Sequence, residues 1–183
     1  GGAKPGDVLL LTKRLGTGIL VSGRRQGRTS DADLAVAIDQ MRTLNRVASE
    51  VLVSHGITAA TDVTGFGLLG HALEMARASN TSFAFEAAAL PVLPGALELA
   101  RSGIETGGAS HNRRFVADAL TVAPDVPGEL LALAHDPQTS GGLLAAIPPD
   151  KLAAVEAALG HNDIPFARVG VIQAATEARV SLR

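Results

Sequence analysis

Residues 60–71, ATDVTGFGLLGH, join a predicted strand to a predicted helix. Residues 57–63, ITAATDV, are rich in threonine and small apolar side chains, which favour a strand. Phe66, Leu69 and Leu73 then recur at the spacing of one helix face. Gly65, Gly67 and Gly70 form the pattern G-x-G-x-x-G where the strand meets this helix, so the sequence predicts a tight strand-to-helix connection here.

The glycine pattern has three physical interpretations. As a dinucleotide site, it would place a pyrophosphate at the helix N-terminus and Glu86, about 20 residues on, at the ribose. Asp62 opposes this, because two unit charges about 4 Å apart repel by about 4 kcal/mol at an effective dielectric of about 20. A divalent cation reverses the sign, because Mg²⁺ binds carboxylate and phosphate oxygens together. The third interpretation is structural: Thr61 or Thr64 caps the helix and the glycines permit close packing.

Composition limits the class of protein. The 183 residues, 46% apolar, are enough for one domain with a sizeable core. The net charge of −2 and the scattered Lys and Arg residues give no basic face for nucleic acid. Apolar runs are far shorter than the roughly 20 residues that span a bilayer, so we expect a cytoplasmic protein without a membrane segment. The chain has no cysteine, which excludes disulfides and thiolate chemistry within it.

The rest of the chain predicts alternating strands and helices. The predicted strands are 8–11, 82–87, 142–147, 166–172 and 178–182. The predicted helices lie at 95–101, after the turn at 125–128 and after the turn at 148–150. Polar, glycine-rich loops are predicted at 106–112 and 135–142. Because the last two strands follow each other as in a hairpin, we expect an α+β fold with a mixed β-sheet flanked by helices.

A further helical segment begins after Ser30, a residue type that favours helix N-caps. Leu34, Ile38 and Met41 lie at the spacing of one helix face, which predicts that this face is buried. Leu44, Val47 and Val51 continue the periodicity toward Gly56. The pattern is compatible with one broken helix or with two.

Five ordered strings resemble selenophosphate synthetase, also called selenide, water dikinase, within the superfamily of aminoimidazole ribonucleotide synthetase. They are GDVLLLTKRLGTGIL (6–20), ATDVTGFGLLGHALEMA (60–76), LPGALELARSG (93–103), GGASHN (107–112) and DPQTSGGLL (136–144). The resemblance spans the whole chain but covers only the C-terminal domain of that enzyme. It therefore implies that residues 1–183 form a single C-terminal domain of a larger enzyme, with the N-terminal ATP-binding and catalytic domain outside this chain.

The resemblance implies a chemistry. Enzymes of that family make selenophosphate from selenide, ATP and water, and release AMP and orthophosphate. Asp62 matches the aspartate that helps to hold Mg²⁺ against the nucleotide phosphates, and the family's catalytic residues have no counterpart in this chain. The implied partners are ATP, selenide, the missing N-terminal domain and a second copy in a homodimer, and the chain alone is expected to be inactive.

Two loops are weaker candidates for phosphate or nucleotide binding, through backbone amides that would be exposed to an anion. The candidate residues are Gly107, Gly108, Asn112, Thr139, Ser140, Gly141 and Gly142. Ordinary tight turns are the alternative for both loops. An Asx-type turn is the expected role of Asp136, and a structural role that of His71. Lys13 and Arg113-Arg114 could attract phosphate or could simply be solvated.

Two rival functions stay open at this point. One is another ATP-dependent member of the superfamily, of the aminoimidazole ribonucleotide synthetase or hydrogenase-maturation type. The other is a non-catalytic assembly or regulatory domain with the same fold.

Overall fold

Seven strands form one mixed sheet in the structure, a computed structural model that describes all residues from Gly1 to Arg183. The strands are β1 (Val8–Leu11), β2 (Ala60–Asp62), β3 (Thr81–Phe85), β4 (Leu120–Val122), β5 (Leu143–Ile147), β6 (Ala167–Ala174) and β7 (Val180–Leu182). The helices are α1 (Thr17–Arg25), α2 (Asp31–Arg42), α3 (Arg46–Ser54), α4 (Gly67–Ser79), α5 (Ala96–Arg101), α6 (Ala109–Val116), α7 (Gly128–His135) and α8 (Pro149–His161). None of these helices is long and apolar enough to cross a membrane.

The sheet has the strand order β2-β5-β1-β6-β3-β7-β4. β7 pairs parallel with β3 and with β4, and all other pairs are antiparallel. The predicted α+β class with a mixed sheet is therefore confirmed. The expected hairpin of the last two strands is wrong, because β3 lies between β6 and β7 and hydrogen-bonds to both.

The central strand β1 is apolar throughout because both of its faces are covered. Successive side chains of a strand point to opposite faces, and the VLLL sequence of β1 follows this rule. Leu9 and Leu11 join the cluster that contains α4, whereas Leu10 joins the cluster that contains α3 and α8. Helices therefore cover both sides of the sheet. A third cluster, made by α1, α2, α5 and α7, extends the domain beyond it.

The segment after Ser30 folds as two helices, α2 and α3, and the predicted cap is confirmed because the Ser30 side chain accepts a hydrogen bond from the Asp33 amide. The predicted buried face of α2 is correct only in part, because Leu34 is half-buried and Met41 packs against the third cluster, but Ile38 does not join the core. Ala37 is its fully buried residue, whereas Ile38 is 40% exposed. Leu44 lies between the two helices and is 74% exposed, so the apolar periodicity there reflects a cleft wall and not the core.

Other differences from the sequence prediction lie at loops and sheet edges. The loop predicted at 106–112 is wrong in its second half, because α6 begins at Ala109. The strand predicted at 57–63 is limited to β2, since only Ala60 to Asp62 pair with β5. Neither α1 nor β4 was predicted from the sequence.

The sheet order excludes the dinucleotide interpretation of the glycine pattern. A dinucleotide-binding unit needs a strand, a helix and a neighbouring parallel strand. Here α4 connects β2 to β3, but β5, β1 and β6 lie between those two strands. Glu86, the would-be ribose ligand, pairs instead with Arg183 at 2.8 Å.

Gly170 provides a test of the close packing of β6 against β3. A Cβ atom added at Gly170 would lie 2.0 Å from the Ala84 carbonyl oxygen, so Gly170→Ala must displace backbone in the centre of the sheet. We expect a loss of about 1–3 kcal/mol in the free energy of unfolding, measured by urea denaturation. Gly160→Ala is the matched control. No atom lies within 4 Å of the added methyl group on α8, and we expect a gain of about 0.5–1 kcal/mol. Equal stability of the two variants would contradict the packing argument.

Candidate functional site at the edge of the sheet

The segment His135–Gly142, which contains the DPQTSGG string, contacts three of the other matched strings, those at 6–20, 60–76 and 107–112. Its most connected side chain is Gln138, which is 4% exposed. The Gln138 Oε1 atom accepts hydrogen bonds from the amides of Gly16 and Thr17 at 3.0 and 3.2 Å, and from Thr17 Oγ1 at 3.1 Å. Gln138 therefore fastens this segment to the start of α1.

Asp136 makes the second connection to α1. Its carboxylate is fully buried, and Oδ2 accepts from the amides of Gly18 at 3.0 Å and Ile19 at 3.2 Å. The expected Asx-type turn is wrong, because the carboxylate satisfies N–H groups of another element, at the N-terminus of α1. Burial raises the pKa of Asp136 to about 7, against the lowering effect of its hydrogen bonds with Ile19, Gln138 and Gly18.

The same segment packs closely against the stretch that holds the glycine pattern. The Gln138 amide donates to the Thr64 carbonyl at 2.9 Å, and the Val63 amide donates to the Gly142 carbonyl at 2.8 Å. A Cβ atom at Gly141 would lie 2.0 Å from the Val63 carbonyl oxygen. Gly67 has φ +68°, and a Cβ atom there would lie 2.9 Å from the His135 carbonyl oxygen. Gly67 and Gly141 are therefore required by the approach of two backbones.

The second predicted phosphate loop also contributes to this packing. Asn112 lies on α6 and is 2% exposed, and its Nδ2 donates to the carbonyls of Gly65 and His135, both at 2.9 Å. A Cβ atom on Gly108 would lie 2.9 Å from Pro137. These contacts favour the structural alternative for Asn112 and Gly108. Gly107 is exposed and open to solvent.

The DPQTSGG segment itself is exposed at only two of the predicted binding residues. Thr139 and Ser140 are exposed, and Ser140 has the left-handed φ of 51°. Gly141 and Gly142 are buried, and a Cβ atom at Gly142 would lie 2.5 Å from the Lys13 amide nitrogen. An anion could therefore reach the segment only at Thr139 and Ser140.

His71 has the structural role expected from the sequence. Its Nε2 lies 3.0 Å from Thr64 Oγ1, and its Nδ1 lies 3.2 Å from the Glu74 carboxylate. The predicted threonine cap of α4 is wrong. Phe66 occupies the N-cap position without a side-chain hydrogen bond, and Thr64 uses its hydroxyl for His71.

Of the basic residues noted in the sequence, Lys13 and Arg113 bond to other groups of the domain, whereas Arg114 is exposed and forms no ion pair. Arg113 forms an ion pair with Glu105. Lys13 is 6% exposed, and its Nζ atom donates to the backbone carbonyls of Thr43 at 2.6 Å and Ser140 at 2.9 Å. Burial lowers the pKa of Lys13.

Asp62, by contrast, is exposed and has no ion-pair partner. It ends the edge strand β2, opposite Leu143 of β5. Asp62 lines an open cleft of about 720 Å³ together with Asn45, Arg46 and Ser49 from the start of α3. The cleft therefore combines a free carboxylate with the N-terminus of a helix. No group of three or more His, Asp or Glu side chains in the domain is arranged to hold a metal ion.

Asn45 is a site residue that the sequence analysis missed. Its Nδ2 donates to the Gly141 carbonyl at 2.8 Å, which ties the start of α3 to the DPQTSGG segment. The signal was the polar Thr43 and Asn45 on either side of Leu44, because this interruption marks the break between α2 and α3.

The fold and the site together define a class of α+β domain. In this chain, a segment rich in glycine and polar residues joins the start of a helix to a strand-to-helix connection at the edge of a mixed sheet. The chain matches the family described as "AIR synthase related protein, C-terminal domain" over residues 4–183, and it belongs to this family.

Curated relatives confirm the resemblance seen in the sequence. The protein named selenide, water dikinase from Nitratidesulfovibrio vulgaris (strain DSM 19637 / Miyazaki F) is 44% identical over 172 residues, which are 93% of this chain and 49% of the relative. The protein of the same name from Porphyromonas gingivalis (strain ATCC 33277) is 42% identical over 178 residues, 97% of this chain and 50% of the relative. The chain thus spans about half the length of the curated relatives it matches.

Solved structures show the same fold at lower identity. Thiamine-monophosphate kinase from Stenotrophomonas maltophilia K279a has a TM-score of 0.65 at 20% identity, covering 98% of this chain and 51% of that chain. A hydrogenase maturation protein HypE has a TM-score of 0.64 at 21% identity, covering 98% of this chain and 50% of that chain. These likenesses establish the architecture alone.

Asp136→Asn tests the buried carboxylate at α1. The folded protein raises the pKa of Asp136 from 3.8 to about 7, so this group favours the folded state when protonated. The contribution of this group to the free energy of unfolding is fully present below pH 3.8 and is lost as the pH rises to about 7. We expect the unfolding free energy of the wild type, relative to Asp136→Asn, to fall across this window by up to about 1.4 kcal/mol per pH unit. Urea denaturation over a pH series measures this, and a difference that does not vary with pH would contradict it.

Proposed function

We propose that this chain is the C-terminal domain of a selenide, water dikinase and that it supplies one Mg²⁺-binding carboxylate, Asp62, to the complete enzyme. The observation that carries the proposal is the free carboxylate at the end of β2, inside the string most similar to that family. The relatives at 40–44% identity bear the name of this enzyme.

The donor set in the cleft fits Mg²⁺ as a partial site. Mg²⁺ prefers oxygen ligands and is commonly held by one or two protein carboxylates together with waters and substrate phosphates. Asp62 offers a carboxylate that forms no ion pair with any Lys or Arg. The domain provides no complete metal cluster, so further ligands would come from the nucleotide and from the rest of the enzyme.

The part of the cleft lined by the start of α3 is suited to negatively charged phosphate. α3 begins in this cleft, and its N-cap residue Asn45 makes no side-chain cap hydrogen bond. The first N–H groups of a helix carry partial positive charge when uncapped. Arg46 adds a full positive charge, shared with Glu50 at 2.8 Å. The carboxylate and the helix terminus would bind the two components of a metal–phosphate complex.

Bound Mg²⁺ would supply neutralisation of the negative charge that develops during phosphoryl transfer. This chain's own part is positional. β5 fixes Asp62 by pairing at Leu143, and Asn45 fixes the start of α3 against the Gly141 carbonyl. Thr139, Ser140 and Gly107 remain proposed contacts for phosphate, because they are the candidate residues whose surfaces are free.

The whole-enzyme activity, the selenide and ATP substrates, the homodimer and the cytoplasmic location are parts of this proposal. One of the solved structures with this fold is HypE in complex with ATP, which makes nucleotide use a reasonable expectation for the superfamily. The names of the curated relatives favour the dikinase over the hydrogenase-maturation and aminoimidazole ribonucleotide synthetase alternatives.

Asp62→Asn in the full-length enzyme tests the central claim. We expect the variant to lose selenide-dependent AMP formation while it keeps its fold and its thermal stability, because Asp62 is exposed and makes no ion pair. Asp118→Asn is the matched control, because Asp118 is an exposed carboxylate just before β4 at the opposite edge of the sheet. Wild-type turnover by Asp62→Asn would remove Asp62 from the metal site.

The isolated chain tests the division of labour between the two halves. We expect no selenide-dependent AMP formation from residues 1–183 alone, because one carboxylate does not complete a metal site. Activity of the isolated chain would overturn this division. A full-length protein without any such activity would instead support a non-catalytic assembly or regulatory domain.

A further inference from the structure

A second cleft lies on the other side of Asn45 and is independent of the proposed dikinase reaction. It measures about 340 Å³, which is within the range of small-molecule sites. Its walls come from the 12–14 segment, the end of α2, the connection to α3 and the turn at 163–165.

The charged group in this cleft is Lys13. A lysine ammonium has three N–H donors, and two of them are used by the carbonyls of Thr43 and Ser140. No carboxylate forms an ion pair with Lys13, although the side chain is 6% exposed. Buried charges in proteins are normally paired, so an uncompensated ammonium in a cleft wall marks a place for an anion.

The remaining charges do not neutralise this ammonium. Arg14 also lines the cleft without an ion pair. Asp39 and Asp163 line it too, but both are exposed and neither pairs with Lys13 or Arg14. Lys13 is therefore the buried charged residue of the cleft, whereas Arg14, Asp39 and Asp163 are exposed.

The apolar lining explains two exposed side chains that the core does not use. Leu44 is 74% exposed and Val36 is 40% exposed, and both lie along this cleft. Ala48, Leu93 and Ile164 continue the apolar surface inward. A ligand whose charged group reached Lys13 would thus have the rest of its surface in contact with these apolar side chains.

We propose that this cleft binds a small organic anion, with its phosphate, sulfonate or carboxylate group on the Lys13 ammonium and its apolar body between Leu44 and Val36. Because Lys13 also holds the Ser140 carbonyl, an occupied cleft would be in direct contact with a residue that fixes the DPQTSGG segment.

Phenyl phosphate is the probe for an NMR titration of the 183-residue protein, with inorganic phosphate and phenol as its two separate components. We expect phenyl phosphate to shift the backbone amide signals of Gln40, Thr43 and Asn45, and each component alone to bind at least about tenfold more weakly. Equal binding of inorganic phosphate would overturn the role of the apolar wall. Absence of any shift in this cleft at millimolar phenyl phosphate would overturn the site.

Lys13→Met is expected to weaken phenyl phosphate binding by at least about tenfold. Lys151→Met is its matched control, because the Lys151 ammonium also donates to a backbone carbonyl, that of His55 at 2.9 Å, outside this cleft. Lys13→Met removes two internal hydrogen bonds, so a rim variant provides a test that does not disturb the fold.

Leu44→Asp places a carboxylate at the mouth of the cleft, and we expect this negative charge to weaken the binding of phenyl phosphate. Leu44→Asn changes the polarity of the side chain without adding a charge, so it should weaken binding less. The solvent exposure of Leu44 makes both variants compatible with folding. Asp39→Asn should strengthen binding by removing a negative charge. Wild-type affinity in both Lys13→Met and Leu44→Asp would overturn the proposal.

Discussion

The hydrogen bonds of Gln138 and Asp136 to the first amides of α1 are the contact on which the site depends. A buried amide and a buried carboxylate are tolerated only where hydrogen bonds replace water, and α1 supplies these from Gly16 to Ile19. The same short segment holds the backbone of the β2–α4 connection. Most of the strings that resemble the dikinase family therefore meet in one place and pack against one another.

The sequence predicted the buried elements better than the edges. β1 was predictable because an apolar run covered on two faces has few alternatives. β4 has only three residues and pairs only with β7, so the sequence around it contains no pattern long enough to predict a strand. The position of β3 between β6 and β7 depends on pairing between strands far apart in the sequence, which turn signals and periodicity do not predict. Ile38 and Leu44 followed helical spacing but line a surface, because periodicity does not say what covers a face.

For the candidate site, charge was more informative than the glycine pattern. The repulsion between Asp62 and a bare pyrophosphate argued against a dinucleotide, and the sheet order excludes one on separate grounds. The roles of Asn112, Asp136 and Lys13 depend on hydrogen-bond partners far away in the chain. No spacing rule relates those residues, so the sequence left them as loop or surface candidates.

The order of the strands has a consequence for how the chain folds. β1 lies near the start of the chain, but both of its partners, β5 and β6, come from the last quarter of the sequence. β3 likewise waits for β6 and β7. Contacts so distant in sequence slow folding and leave apolar strands unpaired during synthesis. A nascent chain from which β5 and β6 have not yet emerged lacks both partners of β1, so chaperone capture and early proteolysis would act on it before the centre of the sheet can assemble.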